Sequence, residues 1–278
     1  MPRITKKDIY KEYGIDFIKA GKSNWHIVTP IGDMPPVLVK GNKKIGNVWH
    51  FSMLPGSKEY SVTLANGQRA TMCGTCAGNC ESGYCMVGRY VMASVQNSLA
   101  NKTVLAREYM DFLNRAIRAQ ITADKIKALR IHVTGDFFSR EYLNMWIGIV
   151  RDFPGVTFWT YTKETAAEKA FDCFENANIV KSNIPGADRF NSATAGYNFG
   201  HADYIIAIYN MLKDMGKSVY ICRCGTDEMQ HCDKCTACAK CEYVLFGEHG
   251  TDYNLKADPR YNEFSALVDS QDKSFINN

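Results

Sequence analysis

Two short groups hold ten of the chain's eleven cysteines, and they constrain the fold more than any other feature of the sequence. The first cysteine group consists of Cys73, Cys76, Cys80 and Cys85. The second cysteine group consists of Cys222, Cys224, Cys232, Cys235, Cys238 and Cys241. Cysteines so close in sequence can direct their sulfur atoms at one point, as a metal ion or an iron–sulfur cluster requires. We therefore predict a metal centre at each group, with all ten thiols as candidate ligands.

The spacing within the groups bears on which metal is bound. Gly74, Gly78 and Gly83 interrupt the first group and allow its backbone to turn tightly. The second group contains a C-x2-C-x2-C-x2-C run, which is close to the cysteine run of bacterial ferredoxins. Zinc, which takes four ligands, is the alternative for both groups. Six thiols between residues 222 and 241 exceed one tetrahedral zinc site, so the second group favours an iron–sulfur cluster.

The composition predicts a protein of a reducing cytoplasm. With 278 residues, of which 46% are hydrophobic, the chain can bury a sizeable core without disulfides. The first residues, MPRITKKD, are polar, and no stretch approaches the roughly 18 apolar residues that span a membrane. The net charge is only +4, and no basic run marks a nucleic-acid patch. The expected partner is therefore an unknown substrate or electron donor, and neither a membrane nor a nucleic acid is indicated.

The order of apolar and polar residues predicts an α/β fold. Strands and helices alternate from residue 128 onward, which is typical of βα units and a parallel sheet. The predicted helices are Asp8–Tyr13, Met86–Leu99, Thr103–Gln120 with Thr103 as N-cap, a helix capped by Ser139, Glu164–Phe174 and His201–Met215. The predicted strands are Val37–Val39, Val48–Phe51, Ser61–Leu64, Ala128–Thr134, Val156–Tyr161, Asn178–Lys181, one within Ala187–Thr194, and Ser218–Ile221.

Only four or five of these strands belong to the βα units from residue 128 onward, and a full eight-stranded barrel would usually need more chain, so we expect a partial, open TIM-like βα barrel with cysteine-rich loops. The expected segments are a strand-rich stretch at 1–70, the partial-barrel core with the first cysteine group at 71–221, and a cluster-binding segment and tail at 222–278. Cys173, beside two phenylalanines on a predicted helix, is expected to be a small buried residue.

Polar residues at strand ends are the candidate ligand contacts, because ligands gather at the C-terminal ends of parallel strands. The candidates are Thr134, Gly135, Asp136, Tyr161, Lys163 and Asn191. Of these, the turn at 134–136 is the strongest, since a carboxylate and a glycine at a strand tip can accept an ammonium or hydroxyl group. His132, in the middle of a predicted strand, is expected to be a core histidine.

Three segments carry a resemblance to a known family. They are RIHVTGDFFS at 130–139, TFWTYTK at 157–163 and VLFGEH at 244–249, together with the glycine-containing first cysteine group. The chain resembles the gene-product-88 family of phage and plasmid proteins from about Thr71 to His249. The family's first cysteine motif is best matched by Cys73, Cys80 and Cys85, and this chain adds Cys76.

That family looks like a divergent relative of radical S-adenosylmethionine enzymes. The resemblance implies that the first cysteine group holds a [4Fe-4S] cluster with an open iron, and that the second holds an auxiliary one. It also implies that Gly135 and Asp136 bind the amino group of S-adenosylmethionine, and that Tyr161, Lys163 and Asn191 line the substrate space. The usual C-x3-C-x2-C order of these enzymes is absent, because C73-x2-C76-x3-C80 is its reverse.

The sequence therefore leaves three hypotheses for the function. The first is a radical-S-adenosylmethionine-like enzyme of unknown substrate. The second is a non-catalytic or electron-transfer iron–sulfur protein on the same fold. The third is a zinc-stapled module that binds nucleic acid or protein, which the weak net charge disfavours.

Overall fold

Helices and strands are mixed throughout the part of the chain that the structure describes, so the protein combines α and β structure. The computed structural model describes residues 3–22, 24–41, 46–56, 58–76, 88–182, 190–191, 202–223, 235–246 and 255–271. The helices are α1 (Lys6–Glu12), α2 (Ala93–Glu108), α3 (Met110–Ala123), α4 (Arg140–Asp152), α5 (Thr165–Phe171), α6 (Ala202–Asp214), α7 (Ala237–Lys240) and α8 (Tyr261–Ser270). The strands are β1 (Phe17–Lys19), β2 (Trp25–Thr29), β3 (Gly32–Met34), β4 (Val39–Lys40), β5 (Trp49–His50), β6 (Glu59–Thr63), β7 (Arg69–Cys73), β8 (Ala128–Arg130), β9 (Thr157–Thr162), β10 (Ala177–Ser182), β11 (Phe190–Asn191), β12 (Val219–Cys222) and β13 (Tyr243–Phe246).

The chain divides into two compact units. The first unit comprises residues 1–40 and 49–158, and the second comprises residues 41–48 and 159–278. The three segments expected from the sequence, and the open TIM-like arrangement, stay predictions. No helix in the described stretches combines the length and apolar content needed to cross a bilayer.

The first unit begins with a small antiparallel sheet in the order β1-β2-β3, against which α1 packs. Thr5 and Asp8 form a capping box at the start of α1, so the predicted helix begins slightly earlier than expected. The ring of Tyr10 on α1 stacks on Phe17 at 4.5 Å, and Phe17 stacks on Trp25 at 4.9 Å. These aromatic contacts join the helix to the sheet.

Three further strands of the first unit lie side by side in the order β4-β5-β8. β5 and β8 are parallel, and His50 pairs directly with Arg130. The predicted strand 128–134 was too long, because ladder pairing stops at Arg130. Beyond Arg130 the chain still runs beside the segment that follows β5. The Val133 N–H donates to the Phe51 carbonyl, and the Met53 N–H donates to the Thr134 carbonyl. Ser139 caps α4 as predicted, accepting a hydrogen bond from the Tyr142 N–H at 3.1 Å.

Thr103 does not begin a helix, and this prediction is wrong. It lies inside α2 and is fully buried, and the helix break falls instead at Tyr109, where φ is −133° and ψ is 45°. The Thr103 hydroxyl donates to the Leu99 carbonyl one turn back and accepts from the Leu54 N–H. A hydroxyl that can bond within its own helix is compatible with an interior position, so the capping preference of threonine misled the prediction.

The strands of the second unit follow the order β12-β13-β11-β10-β9. The pairs β10–β11, β11–β13 and β12–β13 are parallel, with Cys222 of β12 opposite Phe246 of β13 and Asn191 of β11 opposite Val244. α6 and α8 cover β12 and β13 with an apolar cluster that includes Ile205, Ile221 and Phe264. β13 itself was not predicted. The apolar residues of β13 directly follow the second cysteine group, and this stretch was interpreted as part of a metal-binding segment.

The expectation for Cys173 is also wrong. α5 ends at Phe171, two residues before Cys173, and the Cys173 side chain is exposed in the turn that follows the helix. The phenylalanines at 171 and 174 pack against each other and leave the thiol outside.

Candidate metal centre and strand-end site

Cysteines from three parts of the second group come together in the second unit. Cys222 is the last residue of β12, Cys235 precedes α7, Cys238 lies within it, and Cys241 caps its C-terminal end. Their side chains pack into one cluster with Tyr220, Ala237, Val244 and Phe246. The predicted ligands Cys224 and Cys232 lie outside the described residues. A strand end and a single helical turn thus gather thiols that are distant in sequence.

A cavity opens at this cluster. It is lined by Trp159, Tyr220, Cys222, Arg223, Cys235, Ala237, Cys238 and Val244. Sulfur atoms, one guanidinium group and apolar walls therefore surround the same space. This combination suits an ion or a cluster that thiolates bind and that is shielded from water.

The backbone of the cysteine turn is held from β10. The side-chain amide of Asn178 donates to the carbonyl oxygens of Cys238 and Cys241, at 2.9 Å each. The Cys241 N–H donates to the Ala237 carbonyl at 2.8 Å and closes the turn. Asn178 is itself buried, so the two bonds fix the turn from inside the protein.

Arg223 places a positive charge at this cavity. Its side chain is only 5% exposed, and its Nη2 donates to the Val268 carbonyl at 3.3 Å. A nearby cation favours the thiolate form of cysteine, which is the form that binds metals. Burial is the main cause that raises the pKa of the Cys241 thiol, and burial followed by the charge of Cys235 raises the pKa of Tyr220.

The ligand set itself stays a prediction. Among the described residues, no three histidine, cysteine or acidic side chains are arranged as a formed metal site. The donor chemistry nevertheless fits a thiolate-bound metal, because four cysteines share one cluster and three of them line one cavity.

The first cysteine group begins where β7 ends. Cys73 is exposed at the last position of that strand, and Cys76 is half-buried. The Cys76 N–H donates to the Gly56 carbonyl at 3.3 Å, and the Arg107 guanidinium donates to the Gly74 carbonyl at 3.0 Å. Cys80 and Cys85 lie outside the described residues, so the ligands of this group also stay a prediction.

The strand-end turn at 134–136 lies directly against this group. Gly135 has a φ of +85°, and a Cβ placed there would lie 2.7 Å from Thr75 Oγ1. Thr134 Oγ1 donates to the Met53 carbonyl at 2.7 Å. Asp136 is 5% exposed, and its Oδ1 accepts from the Phe137 N–H at 2.8 Å. Two segments that the sequence singled out separately are thus in contact within the first unit.

The remaining candidate contacts belong to the second unit. Tyr161 lies near the end of β9, with its ring edge-on to Phe246 at 5.7 Å, and Lys163 follows the strand. Asn191 ends β11. Their role in lining a substrate space stays a prediction. His132 is buried in the core of the first unit, as expected.

Sequence reasoning missed three residues at the second group: Trp159, Asn178 and Arg223. Only Arg223 carried a local signal, since it stands between Cys222 and Cys224. The other two reach the cavity or the cysteine turn from separate strands, which no sequence spacing reveals.

Comparison with known proteins identifies the family. Residues 36–244 match the family model described as gene product 88. The chain belongs to the gene product 88 family. The match begins further toward the N-terminus than the resemblance found in the sequence, and it covers most of both units.

Two relatives are proteins of mycobacteriophages. The Gene 88 protein of Mycobacterium phage D29 is 29% identical over 154 residues, which is 52% of this chain and 60% of the relative. The Gene 88 protein of Mycobacterium phage L5 is 52% identical over 42 residues, 15% of this chain and 18% of the relative. The chain thus spans about three fifths of the D29 protein and a smaller part of the L5 protein. No solved structure matches the chain.

Proposed function

We propose that this member of the gene product 88 family is an iron–sulfur protein whose second cysteine group holds a cluster. One observation carries the proposal: the side chains of Cys222, Cys235, Cys238 and Cys241 pack together, although Cys222 comes from β12 and the other three come from α7 and the residues that flank it. Ordinary core packing favours cysteine singly, whereas a shared location for four thiols is what a cluster with cysteine ligands requires.

The surroundings of these thiols support a cluster. A thiolate-bound cluster carries negative charge, and the buried Arg223 guanidinium at the same cavity offsets it. Trp159 and Val244 supply apolar walls that restrict water, which is one of the ways a protein sets a cluster's reduction potential. The proposal also requires reduced thiols, and thus a cytoplasmic location, in the host cell if the protein is phage-encoded.

Zinc is the second candidate at this site. The observation that favours it is the size of the cavity, about 30 Å³, which accommodates a single ion. Four cysteine ligands around one ion would make a closed structural site. A zinc-stapled module would then bind a protein or nucleic acid through another surface.

Metal analysis separates the two candidates. Protein purified without oxygen is assayed for iron, acid-labile sulfide and zinc, and its visible spectrum is recorded. We expect a brown protein with about four irons and four sulfides per cluster. Cys235→Ser and Cys238→Ser should lower the iron content, whereas Cys173→Ser, which changes an exposed cysteine outside both groups, should not. Colourless protein with stoichiometric zinc refutes the iron–sulfur proposal and supports the second candidate.

We further propose that the first cysteine group and the 134–136 turn together form a site for S-adenosylmethionine, as the resemblance to radical enzymes implies. The contact between Thr75 and Gly135 supports this, because it brings the cysteine loop beside the glycine and carboxylate of the turn. Asp136 is a buried carboxylate that can accept an ammonium group. A four-iron cluster with an open iron would supply the electron for reductive cleavage of the bound cofactor.

This finer proposal has its own test. Anaerobic protein is reduced with dithionite in the presence of S-adenosylmethionine, and 5′-deoxyadenosine and methionine are measured. We expect both products, and Asp136→Asn should weaken cofactor binding measured by calorimetry roughly tenfold or more. Asp111→Asn, at an exposed position of α3, is the matched control. A reducible cluster without either product supports the alternative of an electron-transfer or non-catalytic iron–sulfur protein.

A further inference from the structure

Lys102 is a buried cation in the first unit. It lies in the middle of α2 and is only 3% exposed. Among the described residues, its ammonium group makes no hydrogen bond or ion pair; the ion pairs of this unit join Lys6 to Asp124 and Asp152 to two arginines. An isolated buried charge is costly, and buried charges in proteins are normally paired. The position of Lys102 therefore requires an explanation.

Two other basic side chains belong to adjacent strands of the same unit, and one of them, His50, is affected by the charge of Lys102. His50 and Arg130 end the adjacent parallel strands β5 and β8, and they are direct partners in the register. The positive charges of Lys102 and Arg130, added to a larger effect of burial, lower the pKa of His50 to about 3. Both charges therefore act at the imidazole. Burial also lowers the pKa of Lys102, to about 8, and no described carboxylate contributes to either shift.

Hydrogen-bonding groups complete the surroundings. His50 Nδ1 lies 3.2 Å from the hydroxyl of Ser52, which is buried. Arg130 Nε donates to the His132 carbonyl at 3.0 Å, which anchors the guanidinium group at the strand end. Lys102, His50, Arg130 and Ser52 thus form a cluster rich in donors; we call it the basic cluster.

We propose that the basic cluster binds a phosphate-type oxyanion. Lys102 and Arg130 supply two positive charges, which match a dianion better than a carboxylate. The imidazole and the serine hydroxyl are additional donors for its oxygens. His50 and Arg130 are half-buried, whereas Lys102 is buried.

The cluster recognises the phosphate group itself, which a free phosphate ion or a phosphomonoester can present. The two sources differ in what else they contact. Inorganic phosphate and a nucleoside monophosphate are therefore tested in parallel. Equal affinity shows recognition of the phosphate group alone, and tighter binding of the nucleotide shows that the ligand is a phosphomonoester.

The proposal is tested by calorimetry and thermal unfolding of the full chain. Wild-type protein should bind inorganic phosphate, and its midpoint of unfolding should rise with phosphate but not with chloride at equal ionic strength. Lys102→Met keeps the length of the side chain and removes the charge. We expect it to weaken phosphate binding roughly tenfold or more. In phosphate-free buffer its midpoint should equal or exceed that of wild type, because an uncompensated buried charge has been removed.

Lys127→Met is the matched control, since Lys127 is an exposed lysine of the same unit. It should bind phosphate as wild type does. His50→Gln, which keeps a polar side chain, serves as a second variant if Lys102→Met does not fold, and it should also weaken binding. The proposal is overturned if wild type binds neither phosphate nor the nucleotide, or if the foldable variants retain wild-type affinity. These measurements do not depend on metal content, so their outcome is independent of the proposed iron–sulfur cluster.

Discussion

Gly135 packs so closely against Thr75 that a Cβ at position 135 would lie 2.7 Å from the threonine Oγ1. The Thr75 hydroxyl donates to the Leu54 carbonyl at 3.1 Å and is therefore held in place. The backbone N–H of Thr75 donates to the same Leu54 carbonyl at 2.9 Å. The contact joins the start of the first cysteine group to the strand-end turn, and it depends on the absence of a side chain at 135.

Gly135→Ala should destabilise the protein. The new methyl group would also lie 2.9 Å from Met53 Cβ, and the φ of +85° disfavours any residue with a Cβ. Overpacking and backbone strain together should lower the free energy of unfolding by about 2–4 kcal/mol. Urea unfolding measures the loss. Gly155→Ala, whose Cβ would meet nothing within 4 Å, should change stability by less than about 0.5 kcal/mol. Similar losses for both variants would contradict the contact.

Asn178→Ala should loosen the turn that carries Cys238 and Cys241. The substitution removes two hydrogen bonds and leaves two carbonyl oxygens without this donor. We expect a loss of about 1–3 kcal/mol in the free energy of unfolding. The metal content of anaerobically purified protein should fall as well, because the turn positions the thiols. Asn144→Ala, at an exposed position of α4, is the control and should alter neither quantity.

Local signals made parts of the fold predictable from the sequence. Ser139 was recognised because an N-cap acts through bonds within its own turn, and the alternating strands and helices from residue 128 were recognised by their periods. Thr103 shows the limit of such signals. Threonine occurs both as a cap and in the interior of helices. At Thr103 the hydroxyl accepts a hydrogen bond from the Leu54 N–H, which is distant in sequence and therefore gives no local signal.

The sites were predictable only in their sequence-local parts. Cysteine spacing indicated the second group, and the glycine and carboxylate indicated the 134–136 turn. The contact of Thr75 with Gly135, the support from Asn178 and the burial of Lys102 arise between segments far apart in the chain. No period or spacing encodes such contacts, because they depend on how the elements pack.

Ser139→Ala tests the cap of α4. The serine Oγ accepts a hydrogen bond from the Tyr142 N–H, one of the donors that a helix start leaves without a partner. Its loss should lower the free energy of unfolding by about 1 kcal/mol. Ser139→Thr retains the hydroxyl at this position and should keep most of the stability. Equal losses in both variants, measured by urea unfolding, would show that the hydroxyl acts otherwise than as a cap.

His132 should make the stability of the protein depend on pH. Burial, with a smaller contribution from the charge of Arg130, lowers its pKa from 6.5 to about 3, and Nδ1 has no hydrogen-bond partner among the described residues. Between these two values the unfolded chain binds a proton that the folded protein does not. Stability should therefore fall as the pH decreases below 6.5, by up to about 1.4 kcal/mol per pH unit for this group.

His132→Phe isolates the contribution of this histidine from those of His50 and the carboxyl groups. The phenyl ring fits the aromatic surroundings of Phe51, Phe137 and Trp146, although the hydrogen bond between His132 Nε2 and the Tyr142 hydroxyl at 2.9 Å is lost. We expect a less stable variant at neutral pH and a shallower decline on acidification, so the two curves of unfolding free energy converge toward low pH. Parallel curves would mean that His132 is protonated in the folded protein as readily as in the unfolded chain.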